Sequence, residues 1–423
     1  MSGRGVVITG LGVVAPGGVG TKAFWQTITS GRTATRRITA FDAAAFRSRI
    51  AAEVDFDPVQ AELSHREIRR LDRAAQFALA GTRESVTDSG LEPGRFDPTR
   101  VGVSLGTATG ATCKLESEYL VLSDTGREWV LDHTYADPHL YDHYMPGSMA
   151  AEIAREVNAQ GPVTVVSAGC TSGLDAVGHA VDLIREGSAD IMLAGGTDAP
   201  ISPITVACFD AIKATSPNNG DAAHALRPFD RNRNGFVLGE GAAMLVLESE
   251  EHARKRDARI YAEITGYASR TNAYHMTGLK PDGAEMAAAI DAALAESRLP
   301  ADAVDYVSAH GTATKQNDRH ETAALKRALG PHAYDTPVSS IKSMIGHSLG
   351  AIGSIEIAAC ALAIDQGVIP PTANLTDPDP ELDLDYVPLH ARERRLGAVL
   401  NIGSGFGGFQ SAMILTRPGR RPL

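Results

Sequence analysis

Cysteine and aromatic residues are scarce in this sequence. Four cysteines occur among 423 residues, none of them in a CxxC pair, and aromatic residues make up 5% of the chain. Scattered cysteines exclude a disulfide framework and a CxxC zinc site, and they are typical of a protein in a reducing compartment. The glycine-rich stretch after Thr9 has neither GxGxxG order nor a GK[ST] sequence. This disfavours a nucleotide site and favours a tight loop near the core.

An excess of positive charge and membrane-targeting segments are also lacking. The formal net charge is −11, which argues against non-specific binding to nucleic acid. The chain runs into an apolar stretch at residues 5–10 without the basic and apolar regions of a signal peptide. We expect no stretch to be long and apolar enough to span a bilayer. The prediction is a cytoplasmic protein without nucleic-acid or membrane partners.

The composition is that of a folded protein with a large core. Hydrophobic residues make up 43% of the chain and charged residues 22%, and the length suffices for one large domain or two fused ones. Short β-branched runs alternate with helical patterns. This alternation predicts an α/β protein whose sheets are mostly parallel and covered by helices.

The second half of the chain echoes the first. Residues 100–109 and 305–314 each show a strand pattern followed by Gly-Thr-Ala-Thr, and the strand, turn and helix around Cys170 have a counterpart around His347. Such self-similarity indicates an internal duplication. We predict two halves, residues 1–255 and 256–423, related by a pseudo-twofold axis that brings the turns at Cys170 and His347 to one site.

Cys170 lies at a turn between a predicted strand, residues 163–166, and a predicted helix for which Ser172 is the candidate N-cap. Backbone N–H groups at a helix N-terminus favour an anion, so we expect a lowered pKa for the thiol and a nucleophilic role. An isolated cysteine is more often a buried structural residue. Two histidines in similar settings favour the nucleophile.

These histidines, His310 and His347, lie beside glycine and small residues at predicted strand ends, where backbone approaches a ligand closely. Either one alone would more often be a buried histidine with satisfied hydrogen bonds. Together with Cys170 they supply a nucleophile and two imidazoles that can donate or accept protons near neutral pH.

Acidic residues between the two histidines are further candidates. Asp318 and Glu321 share one face of a predicted helix and could pair with Lys342 and orient a histidine, although an ordinary capped helix start would show the same pattern. A metal site made of these two carboxylates and His320 lacks the HExxH spacing and is disfavoured.

Three other segments carry less specific signals. A helix is predicted over residues 65–87, and its first turns carry the basic side chains Arg66, Arg69, Arg70 and Arg73. These side chains form either a solvated face or a docking surface for an acidic partner, and the sequence alone favours the solvated face. Residues 113–145 break the pattern and suggest an insertion or an interface segment, in which the histidines have no common metal spacing. The glycine-dense residues 401–409 could supply an oxyanion N–H, act as a gate, or form a plain β-turn.

The joint motifs resemble those of the β-ketoacyl synthases of the thiolase superfamily, in that family's order and over nearly the whole chain. They are Val-Ser-Ala-Gly-Cys170-Thr-Ser-Gly-Leu, His310-Gly-Thr-Ala-Thr, Lys342-Ser-Met-Ile-Gly-His347 and Gly-Phe406-Gly-Gly. More narrowly, the sequence looks like the ketosynthase alpha subunit of type II (aromatic) polyketide synthases. The segments that indicate this are Lys-Gln-Asn-Asp318-Arg-His-Glu-Thr, Pro138-His-Leu-Tyr-Asp, Ala273-Tyr-His-Met-Thr277 and Gly403-Ser-Gly-Phe-Gly-Gly-Phe-Gln-Ser411.

The resemblance implies a thiolase-like duplicated α/β fold, with two mostly parallel sheets layered with helices as αβαβα. It also implies a decarboxylative Claisen condensation of a malonyl group with an acyl chain held on Cys170. In this reading, His310 and His347 stabilise the enolate, and the N–H groups of Cys170 and Phe406 hold the tetrahedral oxyanion. Lys342 together with Glu321 would support the catalytic residues from behind, and Asp318 would tune the surrounding hydrogen-bond network.

Partners also follow from the resemblance. Thr312 and Thr314 match the family's contacts to the phosphopantetheine arm of acyl carrier protein, and the family's carrier dock falls on Arg66, Arg69 and Arg70. The alpha subunit pairs with a beta subunit, the chain length factor, which lacks the nucleophilic cysteine. Neither a metal nor a nucleotide is required.

Four alternatives remain at this point. The nearest is a fatty-acid elongating ketosynthase that works as a homodimer, and a demand for a beta subunit would separate the two. A non-catalytic, length-setting partner is disfavoured by the intact Cys170, His310 and His347. A thiolase would use a second cysteine as base, and a cysteine hydrolase would release free acid without extending a chain.

Overall fold

The computed structural model describes residues 4–92, 94–128 and 131–420. The strands of its first part are β1 (Val6–Ala15), β2 (Gly18–Val19), β3 (Arg36–Arg37), β4 (Ile50–Ala52), β5 (Val101–Gly106), β6 (Val163–Val166), β7 (Ile191–Asp198), β8 (Leu238–Gly239) and β9 (Gly241–Ser249). Those of the second part are β10 (Ala262–Thr271), β11 (Tyr306–Ser308), β12 (Val338–Ser339), β13 (Val368–Ile369), β14 (Arg392–Glu393), β15 (Ala398–Gly405) and β16 (Phe409–Thr416).

Helices cover both faces of these strands. In the first part they are α1 (Thr21–Thr29), α2 (His65–Arg70), α3 (Arg73–Ser89), α4 (Thr112–Leu122), α5 (Leu140–Tyr144), α6 (Gly147–Val157), α7 (Ser172–Arg185), α8 (Pro203–Ala211) and α9 (Glu250–Lys255). In the second part they are α10 (Ala284–Ser297), α11 (Lys315–Leu329), α12 (Lys342–Ile345) and α13 (Ile352–Gln366). Single 3₁₀ turns, Gly169–Thr171 and Leu349–Ala351, lead into α7 and α13.

Strand order repeats between the two parts, which confirms the duplication. The first part runs β1-β9-β7-β5-β6 and the second runs β10-β16-β15-β11-β12. In each set the last three strands pair in parallel and the other neighbours pair antiparallel. The sheets are therefore mixed rather than mostly parallel, because the return strands β9 and β16 run against their neighbours.

The layers follow the expected αβαβα arrangement. α7 and α13 pack against each other and against strands of both parts, so they form the middle layer. α3 and α6 cover the outer face of the first strand set, and α10 and α11 cover the outer face of the second. Each interface between layers buries its own apolar cluster, which stabilises the stack. β1 pairs with β10 at Val7 and Ile8 only, so a short seam joins the two strand sets.

The glycine-rich stretch after Thr9 is strand rather than loop. Gly10 and Gly12 lie inside β1, and α3 crosses them so closely that a Cβ on Gly12 would lie 1.9 Å from the carbonyl oxygen of Gly81. The same contact recurs in the second part, where a Cβ on Gly266 would lie 2.1 Å from the carbonyl oxygen of Ala293 on α10. The glycines here let a helix backbone touch a strand backbone.

Two further expectations are corrected. The helix predicted over residues 65–87 is two helices, because Leu71 is extended and Asp72 caps α3 by accepting from the backbone N–H of Ala74. One stretch, Leu349–Gln366, is apolar and long enough to cross a membrane by composition, contrary to expectation. Because 89% of this stretch is buried within the fold, it is a core helix.

The catalytic candidates lie just after the carboxyl ends of the parallel strands. Cys170 follows β6, His310 follows β11, His347 follows β12, and Phe406 follows β15. Open α/β sheets bind ligands at this edge because the loops there are free to vary. The fold therefore brings segments distant in sequence to one place.

Replacement of Gly12 by alanine tests the strand-helix contact. We expect Gly12→Ala to destabilise the protein by about 3 kcal/mol, because the new methyl group overlaps the α3 backbone. Denaturant unfolding followed by circular dichroism measures the change. Gly147→Ala is the matched control: its Cβ would enter open space at the start of α6, so stability should stay within about 1 kcal/mol. Equal effects of the two changes would contradict the contact.

Candidate active site

One narrow cavity of about 60 Å³ collects most of the predicted site residues. Its lining includes Cys170, His310, His347, Thr312, Thr314 and Phe406. The other three catalytic candidates, Lys342, Asp318 and Glu321, are fully buried and do not line the cavity. The structure thus brings Cys170, His310 and His347 to one cavity, and their catalytic roles stay a prediction.

Cys170 belongs to the 3₁₀ turn that enters α7. Gly169 makes this turn possible, with a φ of 58° and a Cβ position 3.1 Å from the Phe406 carbonyl oxygen. Ser172 is not the N-cap: it is the first helical residue, and its Oγ accepts from the Ala168 N–H at 2.9 Å. The hydroxyl thus closes the turn and leaves the helix N-terminus facing the thiol.

The expected lowering of the thiol pKa is wrong in direction. Burial raises the pKa of Cys170 to about 12, and this outweighs the Lys342 ammonium and the Phe406 backbone N–H, which both act to lower it. The thiol is therefore the resting form. The Phe406 N–H bonded to the sulfur favours the thiolate at the moment of attack.

The two imidazoles face each other across the cavity. The rings of His310 and His347 have centroids 5.4 Å apart at an interplanar angle of 85°. Burial lowers the pKa of each well below its ordinary value, and the nearby Lys342 ammonium lowers both further. Both rings are therefore neutral at pH 7. Their Nδ1 atoms are buried and have no hydrogen-bond partner among the described residues.

Lys342 pairs with Glu356 and not with Glu321. The Lys342 Nζ lies 2.5 Å from the Glu356 Oε1, and both side chains are inaccessible to solvent. Glu356 lies on α13, 14 residues after Lys342 and outside the acidic segment from which the partner was predicted. Glu321 instead accepts the backbone N–H groups of His310, at 2.5 Å, and Gly311, at 2.8 Å. It fixes the backbone that carries His310.

Asp318 belongs to a separate buried pair. Its Oδ2 lies 3.3 Å from the Arg233 Nε and accepts the Phe229 backbone N–H at 2.9 Å. Arg233 also binds Asp379, so one buried guanidinium bridges two carboxylates. Burial raises the pKa of Asp318 to about 6, although Arg233 opposes this. His320 contacts the Lys280 carbonyl oxygen, so the residues of the disfavoured metal site have separate partners.

Asp198 is a site residue that sequence reasoning missed. Its fully buried carboxylate accepts from Thr107, Ala108 and Thr109 of the first part and, at 2.7 Å, from the Gly350 N–H of the second. A Cβ on Gly350 would lie 2.6 Å from this carboxylate. Asp198 thus holds the turn after His347 against the loop after β5, next to Cys170.

The cavity mouth is formed by small polar and aromatic side chains. The hydroxyl oxygens of Thr312 and Thr314 lie 3.0 Å apart, and Thr314 also caps α11. Phe209 packs edge-on against Phe236, at 5.3 Å between centroids, and Phe236 packs against His347. Neither aromatic was singled out from the sequence, where each lies in a segment without a catalytic pattern.

The glycine-dense segment is a hairpin turn that also reaches the catalytic thiol. β15 and β16 pair antiparallel up to Gly405 and Phe409, and Gly407 and Gly408 have φ values of 97° and 91°. The backbone N–H of Phe406 at the tip acts to lower the pKa of the Cys170 thiol. The predicted β-turn is confirmed, and the role of the Phe406 N–H as an oxyanion donor stays a prediction.

The predicted carrier dock is smaller than expected. Arg66 and Arg69 are exposed on α2. Arg70 forms two 2.5 Å contacts with the Glu152 carboxylate on α6, and Arg73 is bonded to Glu240. These pairs hold α2 and α3 against the fold, so Arg66 and Arg69 alone present free guanidinium groups on this helix.

The segment around residues 113–145 presents an apolar surface. α4 and α5 and the chain between them leave large side chains exposed, and the neighbouring β6 ends the sheet with Val163 42% exposed. Exposed members include Tyr119, Leu120, Val121, Leu131, Tyr135, Tyr141, Tyr144 and Met145. Many exposed large apolar side chains within one segment indicate an interaction site.

Comparison with known proteins identifies the family. A model of the β-ketoacyl synthase N-terminal domain matches residues 3–253, and one of the β-ketoacyl synthase C-terminal domain matches residues 261–376. Two solved structures share the thiolase-like fold. A type II polyketide synthase acyl-carrier protein in complex with its ketosynthase bound to the hexaketide gives a TM-score of 0.91 at 38% identity, covering 98% of this chain and 99% of that one. The ishigamide ketosynthase/chain length factor gives 0.89 at 35%, covering 99% and 100%.

Curated relatives narrow the assignment. The granaticin polyketide putative β-ketoacyl synthase 1 of Streptomyces violaceoruber is 66% identical over 98% of this chain and 99% of its own length. The tetracenomycin polyketide synthase ketoacyl synthase alpha subunit of Streptomyces glaucescens is 64% identical over 98% and 97%. The 3-oxoacyl-[acyl-carrier-protein] synthase 2 of Coxiella burnetii is 40% identical over 99% of both. The chain therefore belongs to the β-ketoacyl synthase family and, within it, to the ketosynthase alpha subunits of type II polyketide synthases.

Proposed function

We propose that Cys170, His310 and His347 carry out a decarboxylative Claisen condensation in which a Cys170-bound acyl chain is extended by malonyl carrier protein. The observation that carries this proposal is the shared cavity: a thiol at a helix N-terminus faces two neutral imidazoles and a backbone N–H donor. A nucleophile, two donors for an enolate oxygen and an oxyanion donor are the groups this reaction needs.

The first half-reaction loads the chain. The Cys170 sulfur attacks the thioester carbon of an acyl carrier protein, and the new carbon–sulfur bond forms as the bond to the pantetheine sulfur breaks. The proton of the thiol leaves with the pantetheine thiolate. The N–H groups of Cys170 and Phe406 stabilise the negative oxygen of the tetrahedral intermediate.

The second half-reaction extends the chain. Malonyl thioester loses carbon dioxide, and the electron pair of the broken carbon–carbon bond passes to the thioester oxygen as an enolate. The neutral His310 and His347 rings donate hydrogen bonds to that oxygen. The enolate carbon then attacks the acyl carbon on Cys170, the new carbon–carbon bond forms, and the Cys170 thiolate departs.

Lys342, Glu321 and Asp318 act through other residues. The Lys342 ammonium keeps both imidazoles in the neutral form and opposes the rise in the Cys170 pKa. Glu321 holds the His310 backbone, and Asp318 anchors the start of α11 to Arg233. These are positioning residues, since they do not line the cavity.

We further propose that the apolar surface on α4, α5 and β6 binds a beta subunit of the same fold. Edge strand β6 offers unpaired backbone groups, and the tyrosines beside it can bury large apolar areas. The solved ketosynthase/chain length factor pair, similar over nearly the whole chain, supports this proposal. The exposed Arg66 and Arg69 would contact an acidic carrier protein whose phosphopantetheine arm passes Thr312 and Thr314.

Three remaining assignments complete the proposal. The substrates arrive on the phosphopantetheine of carrier protein and no further cofactor takes part. The protein works in the cytoplasm. The division of the chain into halves at residues 255 and 256 remains a prediction. The second candidate function, fatty-acid elongation by a homodimer, is supported by the 40% identity to the Coxiella burnetii enzyme.

Cys170→Ala separates the two half-reactions. We expect loss of acyl loading and of chain extension by about 10³-fold or more, because the nucleophile is gone. Malonyl decarboxylation should persist, since His310 and His347 remain. Intact-mass spectrometry of the chain with its beta subunit, malonyl carrier protein and acyl carrier protein measures all three. Cys208→Ala, at an exposed cysteine, is the control and should leave loading intact. An adduct on the Cys170→Ala chain would refute the nucleophile, and extension without any beta subunit would favour the homodimer.

Lys342→Met tests the electrostatic role of the buried lysine. Removal of the ammonium should raise the pKa of both histidines, so the acidic limb of the decarboxylation pH profile should move up by about one pH unit. The single variant also leaves Glu356 buried without its partner and should lose about 3 kcal/mol of stability. Lys342→Met combined with Glu356→Gln should recover stability and retain the displaced pH limb. An unmoved limb in both variants would contradict the assignment.

Tyr144→Ser tests the partner surface. Tyr144 is 70% exposed in the isolated chain, and its loss should weaken binding of the beta subunit at least about tenfold if it becomes buried there. Isothermal titration calorimetry gives the dissociation constant. Tyr334→Ser, at a 52% exposed tyrosine near α11, is the matched control and should leave binding unchanged. Equal affinities of the two variants for the beta subunit would show that Tyr144 does not lie in the interface.

A further inference from the structure

A buried carboxyl group supports the turn of residues 168–172, the nucleophile turn, from behind. Asp175 is buried on the first turn of α7. Its Oδ2 lies 2.7 Å from the Oγ1 of Thr171, the residue that follows Cys170. The same threonine hydroxyl lies 2.9 Å from the carbonyl oxygen of Ala168, on the other side of the nucleophile. One hydroxyl therefore links the carboxyl to both sides of the turn.

The nucleophile turn depends on side-chain hydrogen bonds because its backbone bond is long. The Thr171 N–H donates to the Ala168 carbonyl oxygen at 3.3 Å, whereas the Thr171 hydroxyl reaches the same oxygen at 2.9 Å. Ser172 supports the other half of the turn, where its Oγ donates to the Gly169 carbonyl oxygen at 2.6 Å. The backbone angles of the turn set the direction of the Cys170 side chain, so the Thr171 hydroxyl helps to aim the thiol.

The second part of the chain holds the other oxygen of this carboxyl. The Oδ1 of Asp175 accepts from the Tyr267 hydroxyl on β10, at 2.9 Å, and from the Ser411 hydroxyl on β16, at 2.5 Å. A Cβ on Gly178 would lie 2.5 Å from the Tyr267 ring, so this glycine leaves the space through which the ring reaches the carboxyl. Asp175 thus connects two paired strands of the second part to the nucleophile turn of the first.

The hydrogens available to these groups place a proton on the Asp175 carboxyl. Thr171 has one hydroxyl hydrogen, yet its oxygen lies within hydrogen-bond distance of both the Ala168 carbonyl oxygen and the carboxyl. As a neutral acid, Asp175 donates to Thr171 and accepts from Tyr267 and Ser411, so each of the four contacts has one hydrogen. An ionised carboxylate would leave one of the two Thr171 contacts without a hydrogen.

The charges around the carboxyl favour the same protonation state. Among the described residues no lysine or arginine forms an ion pair with Asp175, and burial raises the pKa of its carboxyl although the three hydroxyls oppose this. Tyr267 is the titratable group that faces it, and burial and the adjacent carboxyl raise the pKa of this phenol, so it stays protonated. The N-terminus of α7 acts in the opposite direction, since it favours an anion. A neutral acid fits both the burial and the hydrogen count.

We propose that Asp175 is a positioning residue for Cys170: as a neutral acid it donates to the Thr171 hydroxyl and anchors the nucleophile turn to β10 and β16. The inference rests on the proposed function, in which Cys170 is the residue that receives the acyl chain. Asp175 does not line the catalytic cavity. It therefore acts on the loading of the thiol and not on the histidines that assist decarboxylation.

The two partial reactions, measured separately for the chain with its beta subunit, test this role. Asp175→Leu should lower kcat for acylation of Cys170 by acyl carrier protein at least about tenfold and change KM less than about twofold, because the thiol is aimed less well. Malonyl decarboxylation should change less than about twofold, since His310 and His347 are untouched. Asp175→Asn keeps a donor and an acceptor in place, so its loading should stay within about threefold of the wild type.

Two more variants separate the hydrogen-bond chain from a general loss of stability. Thr171→Val removes the linking hydroxyl at nearly constant shape and keeps the test decisive if Asp175→Leu does not fold. It should slow loading as much as Asp175→Leu, and the double variant should be no slower than either single variant. Ser104→Ala is the matched control, because Ser104 donates to the Ala176 carbonyl oxygen of α7 at 2.7 Å from outside the chain of contacts. It should leave the ratio of loading to decarboxylation unchanged.

Infrared difference spectra of the wild type and Asp175→Asn report the protonation state directly. They should show the stretch of a protonated carboxyl in the wild type alone. Its absence, or a loss of loading in Asp175→Asn equal to that in Asp175→Leu, would overturn the neutral acid. A parallel fall of loading and decarboxylation in Asp175→Leu and Thr171→Val would overturn the positioning role.

Failure of the proposed function gives a different result. The wild type would then form no acyl adduct on Cys170. Alkylation of Cys170 by iodoacetamide needs no carrier protein, and its rate still tests the positioning. The rate should fall in Asp175→Leu and Thr171→Val and stay unchanged in Ser104→Ala. Equal rates in all of these proteins would overturn the inference whatever the reaction.

Discussion

A single buried carboxylate holds the two parts of the catalytic edge in register. Asp198 accepts hydrogen bonds from the loop after β5 and from Gly350 just before α13, at a point where glycines let helix and strand backbones touch. Burial disfavours the ionised form and raises the pKa of Asp198, while its backbone and threonine donors offset that penalty. Without such donors a charge in this position would destabilise the fold. The loop after β5 and the turn after His347 therefore share one electrostatic anchor.

Buried charges of opposite sign recur behind the cavity. Lys342 with Glu356, and Arg233 with Asp318, are removed from solvent as pairs, and each pair connects segments from different elements. Such pairs contribute little net stability compared with apolar packing of equal volume. Their effect is to specify geometry and to set the field in which the thiol and the imidazoles ionise. The two buried pairs therefore contribute to the geometry and electrostatics of the site more than to the stability of the fold.

The sequence predicted the duplication, the layers and the meeting of Cys170, His310 and His347 at one cavity, because these follow from periodicity and from residue types in characteristic order. It did not predict which carboxylate meets Lys342: Glu356 lies within an otherwise apolar helical pattern, and tertiary packing alone decides the partner. The direction of the Cys170 pKa shift was predicted wrongly for a related reason. A helix N-terminus is readable from the sequence, whereas the depth of burial, which outweighs it here, is not. Glycines in β1 were assigned to a loop because strand propensity carries no information on a helix backbone crossing above.

The position of Phe406 at the hairpin tip has a consequence for the proposed oxyanion hole. The Phe406 N–H acts on the Cys170 sulfur, where it favours the thiolate, before any substrate arrives. When the sulfur bonds to carbon, its electron density falls, and the same N–H becomes available to the neighbouring oxygen as that oxygen turns negative. In the proposed mechanism the donor thus changes acceptor as negative charge moves from sulfur to oxygen, and the oxyanion hole forms as the intermediate appears.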